Sequence, residues 1–140
     1  MRTPLLLLTS LLFSSLAHSE VTLAPIFTDH AVLQRDQSAP VWGWADPDES
    51  VTVDFAGQSV STTTTDAGKW RVDLAPMAVD AIGQTLTVTG SNTIVLKDIL
   101  IGDVWLCGGQ SNMEWVVRNS NEAEAEMATA LYPQIRHIKV

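Results

Sequence analysis

Residues 21–100 alternate between short strand-like runs and turns, and this spacing strongly limits the folds available. The run "VTVDF" alternates apolar and polar side chains, which is the period of a strand with one face in water. Pro47 in "DPDES" and the "AGQ" at 56–58 supply turn residues on either side of it. Such signals recur roughly every eight to twelve residues without a helical period. The pattern predicts a small antiparallel β-sandwich over residues 20–100.

Three tryptophans in this region allow two interpretations. Trp42, Trp44 and Trp70 could form an aromatic platform for a sugar ring, or they could pack in the core or at an interface. Core packing is favoured because aromatic side chains dominate core burial.

The pattern changes at residue 101. "IGDVWLCGG" is apolar on consecutive positions, as in a strand covered on both faces of a parallel sheet. Residues 119–132 carry glutamates in their early turns and precede Pro133, which predicts a helix. "QIRHIKV" predicts a further strand. Residues 101–140 are therefore predicted to form a βαβ unit, and because such a unit needs further strands and helices to cover it, we expect a longer protein.

The first nineteen residues have the composition of a secretory signal peptide. A positive start at Met1-Arg2 precedes an apolar run over 5–16, and small residues follow up to Ser19. The apolar run is short for a bilayer span, so an uncleaved anchor is the less favoured alternative. We expect cleavage after Ser19, a secreted or periplasmic protein, and no membrane association once the signal is removed.

Composition excludes several classes of function. The net charge of −8 argues against a nucleic-acid partner, because a phosphate backbone requires a basic surface. The single cysteine cannot form an intrachain disulfide. The sequence holds no cluster at metal-ligand spacing, so neither a metal nor another cofactor is expected. Glu122, Glu124 and Glu126 are interpreted as a solvated helix face, since residues two apart on a helix point away from each other.

Ser111 follows the predicted strand by a few residues, where open α/β sheets bind their ligands. Gly108 and Gly109 would let the backbone turn sharply and present the hydroxyl beside its own N–H, as in a nucleophile elbow. The G-x-S-x-G form of that elbow requires glycine where this chain has Met113. On spacing alone, an ordinary serine at a helix N-cap is an equally good interpretation.

The wider string "GDVWLCGGQSNMEW" resembles the first conserved block of the sialate O-acetylesterase family, a branch of the SGNH-type (GDSL-like) esterases. "IFTDHAVLQRDQSAPVWGWADPDESVTV" and "DAGKWRVDLAPM" are similar to the β-domain that precedes the catalytic domain in bacterial members. The resemblance covers residues 22–140. It implies that residues 101–140 begin an incomplete flavodoxin-like α/β/α domain, and that the substrate is an acetylated carbohydrate.

The resemblance also assigns site residues. Ser111 would be the nucleophile, with its backbone N–H as one oxyanion donor, and Gly109, Gln110 and Asn112 would support the motif. Asn112 is expected to tie the loop rather than to react. The implied substrate is O-acetylated sialic acid, with acetylated xylan or another acetylated glycan as the alternative. A non-catalytic carbohydrate-binding or structural β module is the alternative of another class, and the oligomeric state is left open.

Other polar residues are weaker candidates. Asp103 could fix the strand end, but a solvated turn residue is favoured because aspartate is common in turns. Cys107 is interpreted as an inert thiol in a buried strand. His18, His30 and His137 are not placed to serve as the base, and the family's late D-x-x-H block does not occur in this chain. We therefore expect these 140 residues alone not to hydrolyse esters.

Overall fold

The computed structural model describes residues 19–139, and strands dominate the part before residue 103. Within this range the strands are β1 (Thr22–Leu23), β2 (Val32–Gln34), β3 (Ala39–Trp44), β4 (Ser50–Phe55), β5 (Gln58–Thr63), β6 (Lys69–Leu74), β7 (Asp80–Thr89) and β8 (Thr93–Gly102). Short 3₁₀ helices follow at Ser111–Glu114 and Val117–Asn119, and then helix α1 (Ala123–Thr129). The predicted signal peptide lies outside the described residues except for Ser19.

The strands form two sheets. One has the order β1-β3-β6 and the other β2-β8-β7-β4-β5. Most neighbours pair antiparallel, as predicted, but β2 pairs parallel to β8, with Val32 opposite Leu100 and Gln34 opposite Gly102. This parallel pair matters for the site, because it places β2 alongside the strand that leads towards Ser111.

The core lies between the two sheets and is built by strand alternation. Every second residue of β4 and β6 points inward, which gives each strand one buried and one solvated face. Burying a side chain of the size of Leu86 contributes about 2 to 3 kcal/mol. The most deeply buried side chains are those of Val21, Val41, Val51, Val53, Leu74, Leu86, Val88 and Ile99.

Two local features close the sandwich. Ala56 and Gly57 both have positive φ, 49° and 75°, so β4 and β5 are joined by a two-residue turn of the type that matches strand twist. The Gln58 side chain then bonds across to the other sheet at both backbone groups of Ala75, with distances of 2.7 Å to N and 3.3 Å to O. A side chain thus replaces strand pairing at this corner.

The described chain consists of a β part, residues 19–102, followed by a partly helical segment, residues 103–139. This division agrees with the predicted fold class, but several predicted elements differ. Residues 103–110 form no strand and are exposed, and 134–139 form no strand either. The helix occupies 123–129 instead of 119–132, because Glu122 takes a left-handed conformation (φ 56°) immediately before it. A strand of a parallel sheet needs paired neighbours, and 103–139 have none within the described chain.

The strand β8 continues through Gly102, past the predicted domain boundary at 100/101. The division into domains stays a prediction, with the end of β8 as its natural place. No helix among residues 19–139 combines the length and apolar character needed to cross a membrane.

Candidate active site

Ser111 is the first residue of the 3₁₀ helix Ser111–Glu114. It is exposed, and its Oγ has no hydrogen-bond partner among the described residues. The N-cap position belongs to Gln110, whose backbone is extended and whose side chain makes no capping bond. Ser111 is therefore not a capping serine. As the first helical residue, its N–H has no partner within the helix.

The glycines before Ser111 do not adopt the left-handed conformation that glycine permits, and the chain bends at Gln110. Neither Gly108 nor Gly109 has a positive φ, whereas Gly57 and Gly68 in the β part do. A Cβ added to Gly108 would meet nothing within 4 Å. One added to Gly109 would lie 2.8 Å from Cγ of Met113, so Gly109 is used for close approach to a side chain rather than for a left-handed turn.

Few contacts tie the motif itself. The N–H of Met113 donates to the carbonyl of Gln110 at 2.9 Å, and no side-chain bond of Asn112 ties the loop within the described part. Nζ of Lys139 lies 3.9 Å from Oε1 of Glu114, which brings the end of the described chain beside this helix. The indole N–H of Trp115 donates to Oγ of Ser120 at 3.1 Å.

Asp103 has a structural role that the sequence interpretation did not favour. Nε of Arg35 donates to its Oδ1 at 3.0 Å, and this hydrogen bond is the main reason that the pKa of Arg35 is raised above its ordinary value. Next to it, Oε1 of Gln34 accepts the N–H of Val104 at 2.8 Å. Asp103 is thus exposed, as a solvated residue would be, and it also bonds Arg35 at the end of β8.

A second polar cluster surrounds Asp98. Its Oδ2 lies 2.6 Å from Nδ1 of His30 and 2.8 Å from Nη2 of Arg136, while Nη1 of Arg136 donates to its backbone carbonyl. The hydrogen bond from His30, and then that from Arg136, lower the pKa of Asp98 below its ordinary value of 3.8. Sequence reasoning missed this cluster, because its members are 38 and 68 residues apart along the chain.

The carboxylate of Asp98 lies against Gly83 of β7. A Cβ on Gly83 would approach its Oδ1 to 1.9 Å. Both Asp98 (φ 57°) and His30 (φ 65°) adopt left-handed backbone conformations, which aspartate and histidine tolerate better than most residues do. The cluster is therefore shaped by backbone geometry as well as by charge.

The structure brings no histidine to Ser111 within the described residues. His30 is held by Asp98, His137 is exposed, and His18 lies outside the described range. Cys107 is exposed, which contradicts its predicted burial; the strand that would have covered it is not formed.

The tryptophans do not form one platform. Trp70 is buried, and Trp42 packs edge-on against Phe27 with ring centroids 4.7 Å apart. Only Trp44 of the three is largely exposed, at 43%. Core packing is thus confirmed for Trp70 and Trp42.

Comparison with known proteins places these features in context. The chain is 34% identical to the sialate O-acetylesterase of Mus musculus and 33% identical to that of Homo sapiens, each over an alignment of 129 residues in length that covers 84% of this chain. Among solved structures it is similar to a carbohydrate acetylesterase from Xanthomonas citri, with 38% identity and a TM-score of 0.78 over 82% of the chain. No protein-family model matches the chain.

Fold and sequence together relate the chain to the carbohydrate acetylesterases. More narrowly, it is a homologue of the sialate O-acetylesterases, as the resemblance predicted. It spans about a quarter of the length of these relatives, 24% of the mouse protein and 26% of the bacterial structure.

Proposed function

We propose that this chain is the N-terminal part of a carbohydrate O-acetylesterase in which Ser111 is the nucleophile. The observation that carries the proposal is the exposed Ser111 within "GGQSNM", in a chain 38% identical to a carbohydrate acetylesterase. An exposed serine with an unengaged Oγ is free to meet a substrate. Gln110, Asn112 and Gly109 form its immediate setting.

The reaction follows from the chemistry of a serine ester hydrolase. Oγ of Ser111 forms a bond to the acetyl carbonyl carbon as its proton passes to a base. The oxyanion of the tetrahedral intermediate accepts a hydrogen bond from the N–H of Ser111. The bond to the sugar oxygen breaks, that oxygen takes up the proton, and water then releases acetate and restores the serine.

The base and the acid that orients it are proposed to lie beyond residue 140, in a later Asp/His block of the kind that the resemblance implies. Nothing within hydrogen-bond reach of Ser111 Oγ in residues 19–139 fills either role. Because the members of a catalytic triad act as a unit, the 140 residues alone are expected to be inactive.

The substrate is proposed to be an O-acetylated sialic acid, as in the names of the mammalian relatives, with acetylated xylan as the alternative. The composition of residues 1–19 supports export to the periplasm or the exterior. Comparing acetate release from acetylated sialic acid and from acetylated xylan distinguishes the two substrates.

The test is hydrolysis of an aryl acetate by the protein continued to the end of its reading frame. Ser111→Ala is expected to lower kcat by about 10³-fold or more, because removal of a nucleophile disables the whole triad. Ser38→Ala is the control, an exposed serine whose side chain makes no hydrogen bond within the described residues, and it is expected to retain activity. Equal rates for Ser111→Ala and the unaltered protein would remove the esterase proposal.

A further inference from the structure

Residues 103–139, the segment that carries Ser111, are attached to the β part near both ends of the segment, at Asp103 and at Arg136. At the first end, Arg35 and Gln34 hold it directly after β8, through the 3.0 Å bond to Asp103 and the 2.8 Å bond to the N–H of Val104. The N–H of Arg35 also donates to the carbonyl of Gly102 at 2.9 Å, which continues the parallel β2–β8 pairing. Main chain and side chains thus act together at this point.

At the other end, Arg136 forms hydrogen bonds to Asp98. Its guanidinium bonds both the carboxylate and the backbone carbonyl of Asp98, and its side chain is only 18% exposed in an otherwise exposed stretch. The contact reaches back to the middle of β8, where His30 bonds the same carboxylate oxygen of Asp98. The two anchor points therefore lie on the same strand, at Asp98 and just after Gly102.

Between these anchors the segment has no core of its own. None of its described residues is buried, and Leu106 is 96% exposed. A chain without packed side chains is oriented by the few directional bonds it makes, because these alone distinguish one placement from another. Within the described chain, the side-chain hydrogen bonds that join this segment to the β part are those of the two anchors.

We propose that Arg35 and Asp98 are positioning residues that fix the Ser111 segment on the β part. The inference rests on the proposed function only for its catalytic consequence. Arg35 sets the direction in which the chain leaves β8, and Asp98 returns its far end to the same strand. The β part then serves to orient the nucleophile.

Cys107 offers a direct measurement, since it is the only cysteine of the chain, is exposed, and lies between Asp103 and Ser111. A nitroxide attached to it reports local motion in the 140-residue protein. Arg35→Met and Asp103→Ala are each expected to shorten its rotational correlation time by about twofold. The pair Arg35→Asp with Asp103→Arg is expected to restore the original spectrum.

Arg71→Met is the matched control, because Arg71 forms a similar exposed pair with Asp73 on the other sheet. The far end is probed with the nitroxide on His137→Cys in a Cys107→Ser background, where Asp98→Asn is expected to have the same effect. Asp103→Ala alters a residue outside every strand, so it tests the proposal even where an Arg35 variant does not fold. The Arg71→Met spectrum is recorded with the label at each of the two positions. The inference would be overturned if every variant gave the same spectrum as Arg71→Met labelled at the same position.

Activity separates the positioning role from a purely structural one. In the protein continued to the end of its reading frame, Arg35→Met is expected to lower kcat about 10²-fold with little change in KM, because a shift of about 1 Å in a reacting group has that effect. The charge-swapped pair is expected to recover kcat. An unchanged kcat in an enzyme that depends on Ser111 would overturn the positioning role.

The nitroxide measurement does not depend on catalysis. If Ser111→Ala retains full activity while the nitroxide moves faster in Arg35→Met, the proposed function fails. The attachment of the segment to the β part then still stands. The two failures are therefore distinguishable.

Discussion

Gly43 of β3 is the most closely confined glycine of the sandwich. It lies between β1 and β6, where an added Cβ would approach the carbonyl oxygen of Thr22 to 1.8 Å and Cζ2 of Trp70 to 2.9 Å. Backbone and a buried indole ring give way less easily than the tip of a flexible side chain. Glycine is therefore required at position 43, because β1, β3 and β6 lie too close together there to leave room for a Cβ.

Gly43→Ala is expected to lower the free energy of unfolding by about 1 to 3 kcal/mol, the usual cost of overpacking a core. Urea denaturation of the 140-residue chain measures the change. Gly108→Ala is the control, since a Cβ there meets nothing and its φ is not left-handed; we expect a change within about 0.5 kcal/mol. Equal effects of the two variants would contradict the packing described around Gly43.

Asp98 makes stability depend on acidity. Its pKa in the folded protein is lowered by His30 and then by Arg136, so the folded state favours the ionised carboxylate more than the unfolded state does. The stabilisation is fully present well above the ordinary value of 3.8 and is lost as the pH falls through that value towards the lower, folded pKa. Acid should thus release Arg136.

Asp98→Asn removes this dependence while keeping a residue that tolerates the left-handed backbone. We expect the variant to melt below the unaltered protein at pH 7 and the difference to shrink as the pH approaches 3. Thermal melts across this range provide the measurement. A difference in Tm that stays constant with pH would show that the ion cluster does not contribute.

At the scale of elements, the corner between β5 and β6 depends on one side chain. Gln58 bonds both backbone groups of Ala75 and so joins the two sheets where no strand pairing does. Gln58→Ala is expected to raise the hydrogen-exchange rate of the Ala75 amide about tenfold, corresponding to the loss of about 1.4 kcal/mol of protection, near the value of a typical hydrogen bond. Ser59→Ala, the exposed neighbour, should leave that rate unchanged.

The longer strands of the sandwich, β3 to β8, were predictable because each carries its own signal. Alternation in "VTVDF" identified β4, all of "QTLTVTG" except its final Gly90 lies in β7, and "TIVLKDIL" lies within β8. The parallel placement of β2 was not predictable, since a three-residue strand has too few positions to show a period. Its neighbour Arg35 carries no local sign of its bond to Asp103, because that contact joins residues 68 apart.

The candidate site was predicted only in part. The motif located Ser111 and its neighbours, but burial of Cys107 and the strands of 103–139 were inferred from apolar composition alone. Consecutive apolar residues indicate that a segment requires a cover, and they do not say whether the described chain supplies one. Here it does not, so the same residues are exposed.

For the whole molecule, the buried hydrophobic residues of the described chain all lie between Val21 and Ile101. The β part therefore holds the entire described core. A shortened chain of residues 19–102 is expected to unfold cooperatively with a Tm within about 5 °C of the full 140 residues, since little buried area is removed. Scanning calorimetry measures both properties, and a broad transition without cooperativity would show that 103–139 belong to the same folding unit.

The exposed apolar side chains beyond Gly102 have a practical consequence. They include Val104, Trp105, Leu106, Met113, Trp115, Leu131, Tyr132 and Ile135. Soluble monomers rarely expose so much apolar surface, because the hydrophobic effect favours association of such patches. At high concentration the 140-residue polypeptide is therefore expected to self-associate through the segment that bears Ser111, and measurements of its motion and stability require dilute samples.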